Sequence, residues 1–349
     1  MKVKNDGGSL GIQGTVVEWD PTIDFQAPEP WASSYSDAAK VRSLMSEIRQ
    51  LTSEKNAIIL AHNYQIPPIQ EVSDCVGDSL GLAREAQQTD AELVVFCGVH
   101  FMAESAKILN PEKKVLLPNL AAGCALADSI TPESLLDWKD RYPDHVVVTY
   151  INSSADVKAL SDVCCTSANA VSVVRSLKEN KVLFTPDKNL GNWVAKQVPE
   201  KDVVIYDGVC PTHDVLRGVS VEKGVSKHPG AVIIAHPECR EDVLQMADEI
   251  CSTSGMIAAV ERNLDASTFI IATEWALIYQ LKKRFPQKEF VAADGCIGCR
   301  LHCPYMKMND LDQVKRSLEE EVFEITVPSD VADGARRSLE RMLAVPRDH

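Results

Sequence analysis

The stretch that decides the fold is AIILAHNY, residues 57–64, in which an apolar run ends on polar side chains. Two later stretches repeat this pattern, VVVTYIN at 146–152 and VIIAHPE at 232–238. Consecutive apolar and β-branched residues are typical of strands that are buried on both faces, as in parallel sheets. The polar ends of successive stretches are 88 and 86 residues apart, measured between His62, Tyr150 and His236. A period this regular indicates an internal repeat.

Three further features follow each of these strand ends in the same order. A hydroxyl that opens a helical pattern comes 17 residues later, at Ser79, Ser167 and Thr253. A second strand then ends 36 or 37 residues after the first, at Gly98, Pro186 and Thr273. A third strand leads to a loop that contains a cysteine, which is Cys124, Cys210 or Cys303. Four features in a fixed order, three times over, predict three copies of one α/β unit.

Nine apolar runs are expected to form strands, three to a unit: 57–60, 93–96, 115–117, 146–148, 182–184, 203–205, 232–235, 269–272 and 290–293. Helical patterns separate most of these runs, as at 80–86, 170–177 and 241–250. Strands that alternate with helices predict parallel βαβ units with right-handed crossovers. The chain is therefore expected to be an α/β protein with parallel sheets.

The pattern also predicts where the units begin and end. Residues 1–35 combine Gly and Pro with no sustained period and are expected to form a loose N-terminal extension. The three repeats are expected at 36–128, 129–214 and 215–306. The remaining segment, 307–349, is expected to be a helical tail that packs back on the core.

Composition narrows the possible partners and the compartment. The net charge is −14, from 36 basic and 50 acidic side chains, so we expect no nucleic acid and no anionic membrane among the partners. No apolar run approaches the roughly 18 residues of a membrane span, and the first 14 residues lack the apolar core of a secretory signal. These features predict a cytoplasmic protein. In that reducing compartment, 11 cysteines indicate metal, cluster or redox chemistry more strongly than they indicate structural disulfides.

The repeated cysteines are the first candidates for a metal centre. Parallel sheets bind ligands at the carboxyl ends of their strands, where one thiolate from each unit could converge. Three thiolates suit Zn²⁺ with an open fourth position, or a [4Fe–4S] cluster with one iron free to act as a Lewis acid. A local alternative is the C-x₂-C-x₃-C run of Cys296, Cys299 and Cys303 around His302, as a metal site or a redox pair. The other six cysteines are expected to pack in the core: Cys75, Cys97, Cys164, Cys165, Cys239 and Cys251.

The hydroxyls and the strand-end residues could form the walls of the same site. Helix N-termini bind carboxylates and phosphates, although Ser and Thr there also serve as simple caps. Candidates for acid–base chemistry and hydrogen bonding lie close to the strand ends or to a repeated cysteine: His62, Tyr64, Tyr150, Asn152, His213, His236 and Glu238. A small polyanion beside an electrophilic metal would suit the dehydration or condensation of a carboxylate or phosphate.

Eight ordered motifs resemble the quinolinate synthase family: AHNYQ (61–65), GDSL (77–80), FMAESAKIL (101–109), TSANA (166–170), TPDKNLG (185–191), HPE (236–238), STSGM (252–256) and CPYMKMN (303–309). The resemblance implies three homologous three-layer α/β/α domains, arranged with pseudo-threefold symmetry around a central [4Fe–4S] cluster. It implies one open iron and three cysteine ligands, which are Cys124, Cys210 and Cys303. The implied reaction condenses iminoaspartate with dihydroxyacetone phosphate to give quinolinate, phosphate and two waters, for NAD biosynthesis.

The resemblance also implies roles for individual side chains. Substrate-binding positions of the family carry over to His62, Ser79, Tyr150, Ile151, Asn152, Ser167, His236, Pro237, Glu238 and Thr253. Tyr64 and His213 match further active-site positions. We expect Glu238 and Tyr64 to transfer protons and the two histidines, His213 and His236, to orient the substrate. Transient coupling to the L-aspartate oxidase that supplies iminoaspartate is a further expectation.

Two other functional classes remain open on the residues. An iron–sulfur hydro-lyase would use the same open iron on a small hydroxy acid, without joining two substrates. A non-catalytic redox sensor would use a cluster together with the C-x-x-C pair, Cys296 and Cys299. A product assay separates the first alternative, because only the condensation makes a pyridine ring.

Overall fold

The computed structural model describes residues 37–294 and 301–348. The predicted extension, 1–35, lies outside these residues, and so does the pair Cys296 and Cys299. None of the helices in the described part of the chain is both long and apolar enough to span a membrane.

Three successive units contain the same elements in nearly the same order. The first unit consists of α1 (Ala38–Glu54), β1 (Ala57–His62), α2 (Pro67–Val72), β2 (Cys75–Gly77), α3 (Ser79–Gln88), β3 (Leu93–Cys97), α4 (His100–Leu109) and β4 (Lys114–Leu116). After a short 3₁₀ turn (Ala127–Ser129), the second unit consists of α5 (Pro132–Arg141), β5 (Val146–Tyr150), α6 (Ala155–Ala159), β6 (Val163–Cys165), α7 (Ala170–Ser176), β7 (Lys181–Thr185), α8 (Lys188–Gln197), β8 (Asp202–Ile205) and α9 (Pro211–Asp214).

The third unit and two final helices complete the described chain. The unit consists of α10 (Gly218–Lys227), β9 (Val232–Ala235), α11 (Glu241–Leu244), β10 (Glu249–Ile250), α12 (Thr253–Arg262), β11 (Thr268–Ala272), α13 (Leu277–Arg284) and β12 (Glu289–Ala292). A 3₁₀ turn (Met306–Met308), α14 (Leu311–Glu320) and α15 (Ser329–Leu343) follow.

Each unit forms one four-stranded parallel sheet, and the strand order is the same in all three. The orders are β2-β1-β3-β4, β6-β5-β7-β8 and β10-β9-β11-β12, with every pair of neighbouring strands parallel. Identical order in three consecutive sheets confirms the predicted α/β class and the threefold repeat. The unit boundaries at 128, 214 and 306 remain a prediction.

Alternate side chains of the central strands pack on opposite sides of each sheet. In the first unit, Ile59 and Val95 join a cluster with α1 and α14. Their neighbours Leu60 and Val94 join a different cluster with α3 and α4. Because successive side chains of a strand point to opposite faces, helices cover both faces of the sheet. This is the three-layer α/β/α arrangement that the resemblance implied.

All nine predicted strands are present, but each unit has one more strand than predicted. The additional strands are β2, β6 and β10, which have only two or three residues and lie at one edge of their sheets. The predicted helix over 241–250 is wrong beyond Leu244, because residues 249–250 form β10. Each of these strands contains only one residue from the group Val, Ile, Leu and Phe, so none of them forms an apolar run in the sequence.

The two final helices pack on the first and second units. Helix α14 lies against α1, and α15 lies against α6 and β6. The contact of α15 with α6 depends on Gly334, where a Cβ atom would lie 2.9 Å from the Cβ of Ala159. Beyond α15, the guanidinium of Arg347 pairs with both carboxylate oxygens of Asp78, at 2.5 and 2.9 Å. The side chain of Asp348 accepts hydrogen bonds from two backbone N–H groups at the start of α7.

Candidate active site

The carboxyl ends of the three sheets open into one cavity, to which all three units contribute. Thirteen of the fifteen predicted site residues line it: His62, Tyr64, Ser79, Cys124, Tyr150, Asn152, Ser167, Cys210, His213, His236, Glu238, Thr253 and Cys303. The other two, Ile151 and Pro237, are buried beside lining residues but do not line the cavity themselves. The equivalent positions of the repeat therefore meet in space, as the sequence predicted.

The three repeated cysteines are half-buried free thiols in this cavity. Burial, together with the charge of Cys303, raises the pKa of the Cys124 thiol to about 12. Burial raises the pKa of Cys210 well above its ordinary value, with further contributions from Glu238 and the other two cysteines. Buried thiols with a raised pKa stay protonated at neutral pH unless a bound cation stabilises the thiolate. The donor set thus fits a metal ion or cluster bound at this point.

Cys210 also belongs to a second group of donor atoms. The ligand atoms of Cys210, His213 and Glu238 all lie within 4.8 Å of one another. The Nδ1 atom of His213 is 3.3 Å from the sulfur of Cys210 and 2.7 Å from Oε2 of Glu238. These residues could contact a metal, or they could position groups around one that the cysteines hold.

Glu238 is a buried carboxylate on the cavity wall, and one of its oxygens has no hydrogen-bond partner among the described residues. Burial alone would raise its pKa, but the neighbouring His213 lowers the pKa of Glu238 to about 2. Its Oε1 atom has no hydrogen-bond partner among the described residues, although the side chain is only 3% exposed. A buried polar atom without a partner is costly, so Oε1 is an atom that a ligand would contact.

Two histidines accept the same kind of local hydrogen bond and are kept neutral by burial. Nδ1 of His62 accepts from the backbone N–H of Tyr64 at 3.1 Å, and Nδ1 of His236 accepts from the N–H of Glu238 at 3.4 Å. Burial lowers the pKa of His62 to about 4 and that of His236 to about 3. In each ring the hydrogen is therefore on Nε2, and Nε2 of His236 lies 3.2 Å from Oγ of Ser167.

Tyr64 belongs to a buried hydrogen-bond chain. Its hydroxyl bonds to Oγ1 of Thr273, which is 2.9 Å from Nε2 of His213. Burial and the negative charge of Glu238 raise the pKa of Tyr64 well above its ordinary value. The phenol therefore keeps its proton at neutral pH and can donate a hydrogen bond or a proton.

The structure corrects the prediction that all three hydroxyls open helices. Ser79 and Thr253 are the first residues of α3 and α12, but their N-caps are the preceding residues, Asp78 and Ser252. Ser167 lies in a turn three residues before α7. The hydroxyls are thus not the caps, and Thr253 instead accepts a hydrogen bond from Asn63 at 2.8 Å.

Ser167 does not open a helix because other residues organise this turn. The side-chain oxygen of Asn169 accepts from the backbone N–H of Thr166 at 2.9 Å, which closes a local turn. The carboxylate of Asp348 then occupies the start of α7, where a local cap would otherwise lie. Ser167 is left on the cavity wall.

Several lining or supporting residues were missed from the sequence. Asp78 and Thr212 line the cavity. Burial would raise the pKa of the Asp78 carboxyl, but Arg347 lowers it to about 2. Asp78 lies beside Ser79 in the GDSL motif, so the motif could have marked Asp78 as a site residue. The pairing with Arg347 had no such signal, because 269 positions separate the two residues.

Comparison with known proteins matches this site to one family. A family model described as quinolinate synthetase A protein matches residues 46–344. The chain is similar to quinolinate synthase of Geobacter metallireducens, with 49% identity over 88% of this chain and 99% of the relative. It is also similar to quinolinate synthase of Aquifex aeolicus, with 47% identity over 87% of this chain and 94% of the relative. With most of both sequences aligned, the chain belongs to the quinolinate synthetase A family and is an enzyme of that family.

Proposed function

We propose that this enzyme condenses iminoaspartate with dihydroxyacetone phosphate to give quinolinate, phosphate and two waters, as a step of NAD biosynthesis. The observation that carries the proposal is the single cavity to which three repeated units contribute equivalent residues, including one cysteine each. The names of the relatives support it, because the reaction makes quinolinate.

Cys124, Cys210 and Cys303 are proposed to hold a [4Fe–4S] cluster. Three half-buried thiols around one cavity suit such a cluster, which then has one iron without a protein ligand. No fourth cysteine among residues 37–294 and 301–348 lines the cavity. When bound, the cluster would supply a Lewis acid for a hydroxyl that must leave as water.

The anionic substrates are proposed to bind along the hydroxyl side of the cavity. Ser79 and Thr253 begin helices whose N–H groups and dipoles favour phosphate and carboxylate. Ser167 comes from the second unit, together with Tyr150 and Asn152 at the end of β5. Ile151 and Pro237 would contribute through their backbone next to lining residues.

Acid and base roles are assigned from position in the cavity. Glu238 lines the cavity and its Oε1 atom has no hydrogen-bond partner among the described residues, so we assign it as the base that takes a proton from the substrate. Tyr64 also lines the cavity and is assigned as an acid. His213 fixes Glu238 at 2.7 Å, and neutral His62 and His236 offer Nε2–H donors that orient substrate oxygens.

Partner and compartment follow from the chemistry of the substrate. Imines hydrolyse in water, so transient coupling to the L-aspartate oxidase that makes iminoaspartate would shorten its exposure. A reducing cytoplasm suits the free thiols, since none of the described cysteines is in a disulfide. These two assignments are part of the proposal.

The experiment is anaerobic purification with iron, sulfide and zinc counts, followed by a product assay. Supplying both substrates should give a compound with the ultraviolet absorbance of a pyridine dicarboxylate, and about four irons per chain should be present. Zinc, or no metal, would refute the cluster. Dehydration of a small hydroxy acid with no pyridine product would favour the hydro-lyase alternative instead.

A further inference from the structure

A buried carboxyl group follows the third strand of the unit, β7 or β11, in two of the three units. Asp187 comes directly after Pro186, and Glu274 comes directly after Thr273. These are equivalent positions of the repeat, two residues past the ends of β7 and β11. Both side chains are fully buried, with an exposed fraction of 0%. In the first unit the equivalent residue is Val99.

Each of these carboxyls accepts a hydrogen bond from the backbone of a repeated cysteine. The N–H of Cys210 donates to Oδ2 of Asp187 at 3.2 Å, and the N–H of Cys303 donates to Oε1 of Glu274 at 3.3 Å. The two cysteine loops come from different parts of the chain, 23 and 29 positions after their carboxyls. The same contact has therefore been kept in two units.

The second oxygen of each carboxyl is anchored to its own element. Oδ1 of Asp187 accepts from the N–H of Leu190 at 2.7 Å, which caps α8. Oε2 of Glu274 accepts from the N–H of Ala276 at 2.9 Å. Each carboxyl thus bridges the end of a strand to a cysteine loop, with one oxygen for each.

Glu274 has one more contact, which extends the bridge in the third unit. Its Oε1 is 2.6 Å from Nζ of Lys307, and both side chains are at most 1% exposed. The same Nζ donates to the backbone oxygen of Tyr64 and lies over the ring of Trp275, 4.6 Å from its centroid. The loop that contains Cys303 is therefore tied to the first unit as well as to β11.

In the first unit Val99 takes the place of the carboxyl, and a backbone contact holds the cysteine loop. Val99 has no polar side-chain atom, and the backbone N–H of the next residue, His100, donates to the oxygen of Ala122 at 2.7 Å. This backbone contact lies two residues before Cys124. The first unit thus serves as a built-in comparison for the other two.

We propose that Asp187 and Glu274 are positioning residues that fix Cys210 and Cys303 for metal binding. The inference rests on the proposed function, in which these cysteines are cluster ligands. Groups behind metal ligands hold them in the binding geometry, and their loss weakens metal binding by about 10–100-fold in other proteins. Neither carboxyl touches substrate in this assignment, so neither is a catalytic residue.

The direct test measures amide hydrogen exchange of the three cysteine loops in metal-free protein, peptide by peptide, in Asp187→Asn. Asparagine is as good an N-cap as aspartate, so its one oxygen keeps the bond to Leu190 while Cys210 loses its acceptor. Exchange in the Cys210 peptide should become about tenfold faster. Exchange in the peptides of Cys124 and Cys303 should not change.

Glu274→Met gives the reciprocal result, with faster exchange at Cys303 and unchanged exchange at Cys210. If it fails to fold, Glu274→Gln is used, because its single oxygen cannot serve Cys303 and Ala276 together. The matched control is Glu71→Gln, a buried carboxyl that bonds to Tyr279 and Lys283 and does not line the cavity. It should leave all three cysteine loops unchanged.

The second readout is the iron content after anaerobic reconstitution with limiting iron and sulfide. It should fall in the Asp187 and Glu274 variants and stay at the wild-type level in Glu71→Gln. Equal acceleration of all three loops, or no acceleration at Cys210 in Asp187→Asn, would overturn the proposal. These outcomes are distinct from failure of the proposed function, because exchange in metal-free protein requires neither cluster nor product.

Discussion

Replacing Glu238 with glutamine tests the chemistry of the site most directly. The change keeps the size of the side chain but removes its charge and its capacity to take a proton at neutral pH. The carboxylate is 2.7 Å from Nδ1 of His213 and 3.7 Å from Nδ1 of His236. Its other oxygen, Oε1, has no partner among the described residues.

Two effects set the size of the expected loss. A buried hydrogen bond to a charged group is worth about 1.5–3 kcal/mol and one between neutral groups about 0.5–1.5 kcal/mol, so the weaker bond from His213 to a neutral glutamine would by itself slow turnover about fivefold. If Glu238 also takes a proton in the rate-limiting step, general base catalysis adds about 10²–10⁴-fold. Turnover should therefore fall at least about tenfold, and the visible absorbance of the cluster should remain.

The assay is anaerobic quinolinate formation, with the visible spectrum and iron content recorded on the same sample. The matched control is Glu104→Gln, because that carboxylate also faces a histidine, with 3.6 Å between it and Nδ1 of His100, yet does not line the cavity. Full activity in Glu238→Gln would refute the assignment of the base. Loss of iron in Glu238→Gln would also refute this assignment, because it would show that Glu238 supports metal binding together with Cys210 and His213.

Three further predictions concern the metal, the tail and pH. Serine in place of any one of Cys124, Cys210 or Cys303 should remove most of the iron and the visible absorbance, because a hydroxyl is a poor substitute for a soft thiolate ligand. Full iron content in one of these variants would show that its cysteine is not a ligand. Arg347→Met leaves the buried Asp78 carboxylate without its cation, and urea unfolding of metal-free protein should show a loss of about 3 kcal/mol at pH 7; an unchanged midpoint would contradict the pairing. Burial lowers the pKa of His62 to about 4 and that of His236 to about 3, from an ordinary 6.5. Between the folded-state values and 6.5, the unfolded chain binds more protons than the folded chain. Stability should therefore fall as the pH drops from about 6.5 toward about 4. His62→Gln should reduce that fall, and equal pH dependence in both proteins would argue against a neutral buried imidazole.

The repeated signals were strong enough to predict the framework of the fold. Long central strands such as 93–97 are buried on both faces and need a continuous apolar run, which can be read directly. The edge strands β2, β6 and β10 were missed because two or three residues with a single Val or Ile do not form an apolar run. Residues 249–250 even include an acidic side chain, so a helical pattern through 241–250 was the wrong interpretation.

The site could be predicted where chemistry coincided with the repeat. His62, Tyr150 and His236 occupy one position of the unit, and the cavity brings them together. The turn at Ser167 could not be predicted, because its neighbouring helix is capped by Asp348 from a distant part of the chain. Similarly, Asp187 and Glu274 were not singled out, since a carboxyl that holds a backbone N–H leaves no pattern in a single unit.

The contact between Arg347 and Asp78 has a consequence for biosynthesis. Asp78 is the N-cap of α3 in the first unit, but its cation, Arg347, comes 269 positions later in the chain. While the ribosome is still translating the intervening units, the nascent first unit has no cation for this carboxylate, which therefore favours a hydrated position. Burial of Asp78 at that edge of the cavity gains its compensating cation only once Arg347 has been synthesised, so we expect the closed form of this edge to become stable late in biosynthesis.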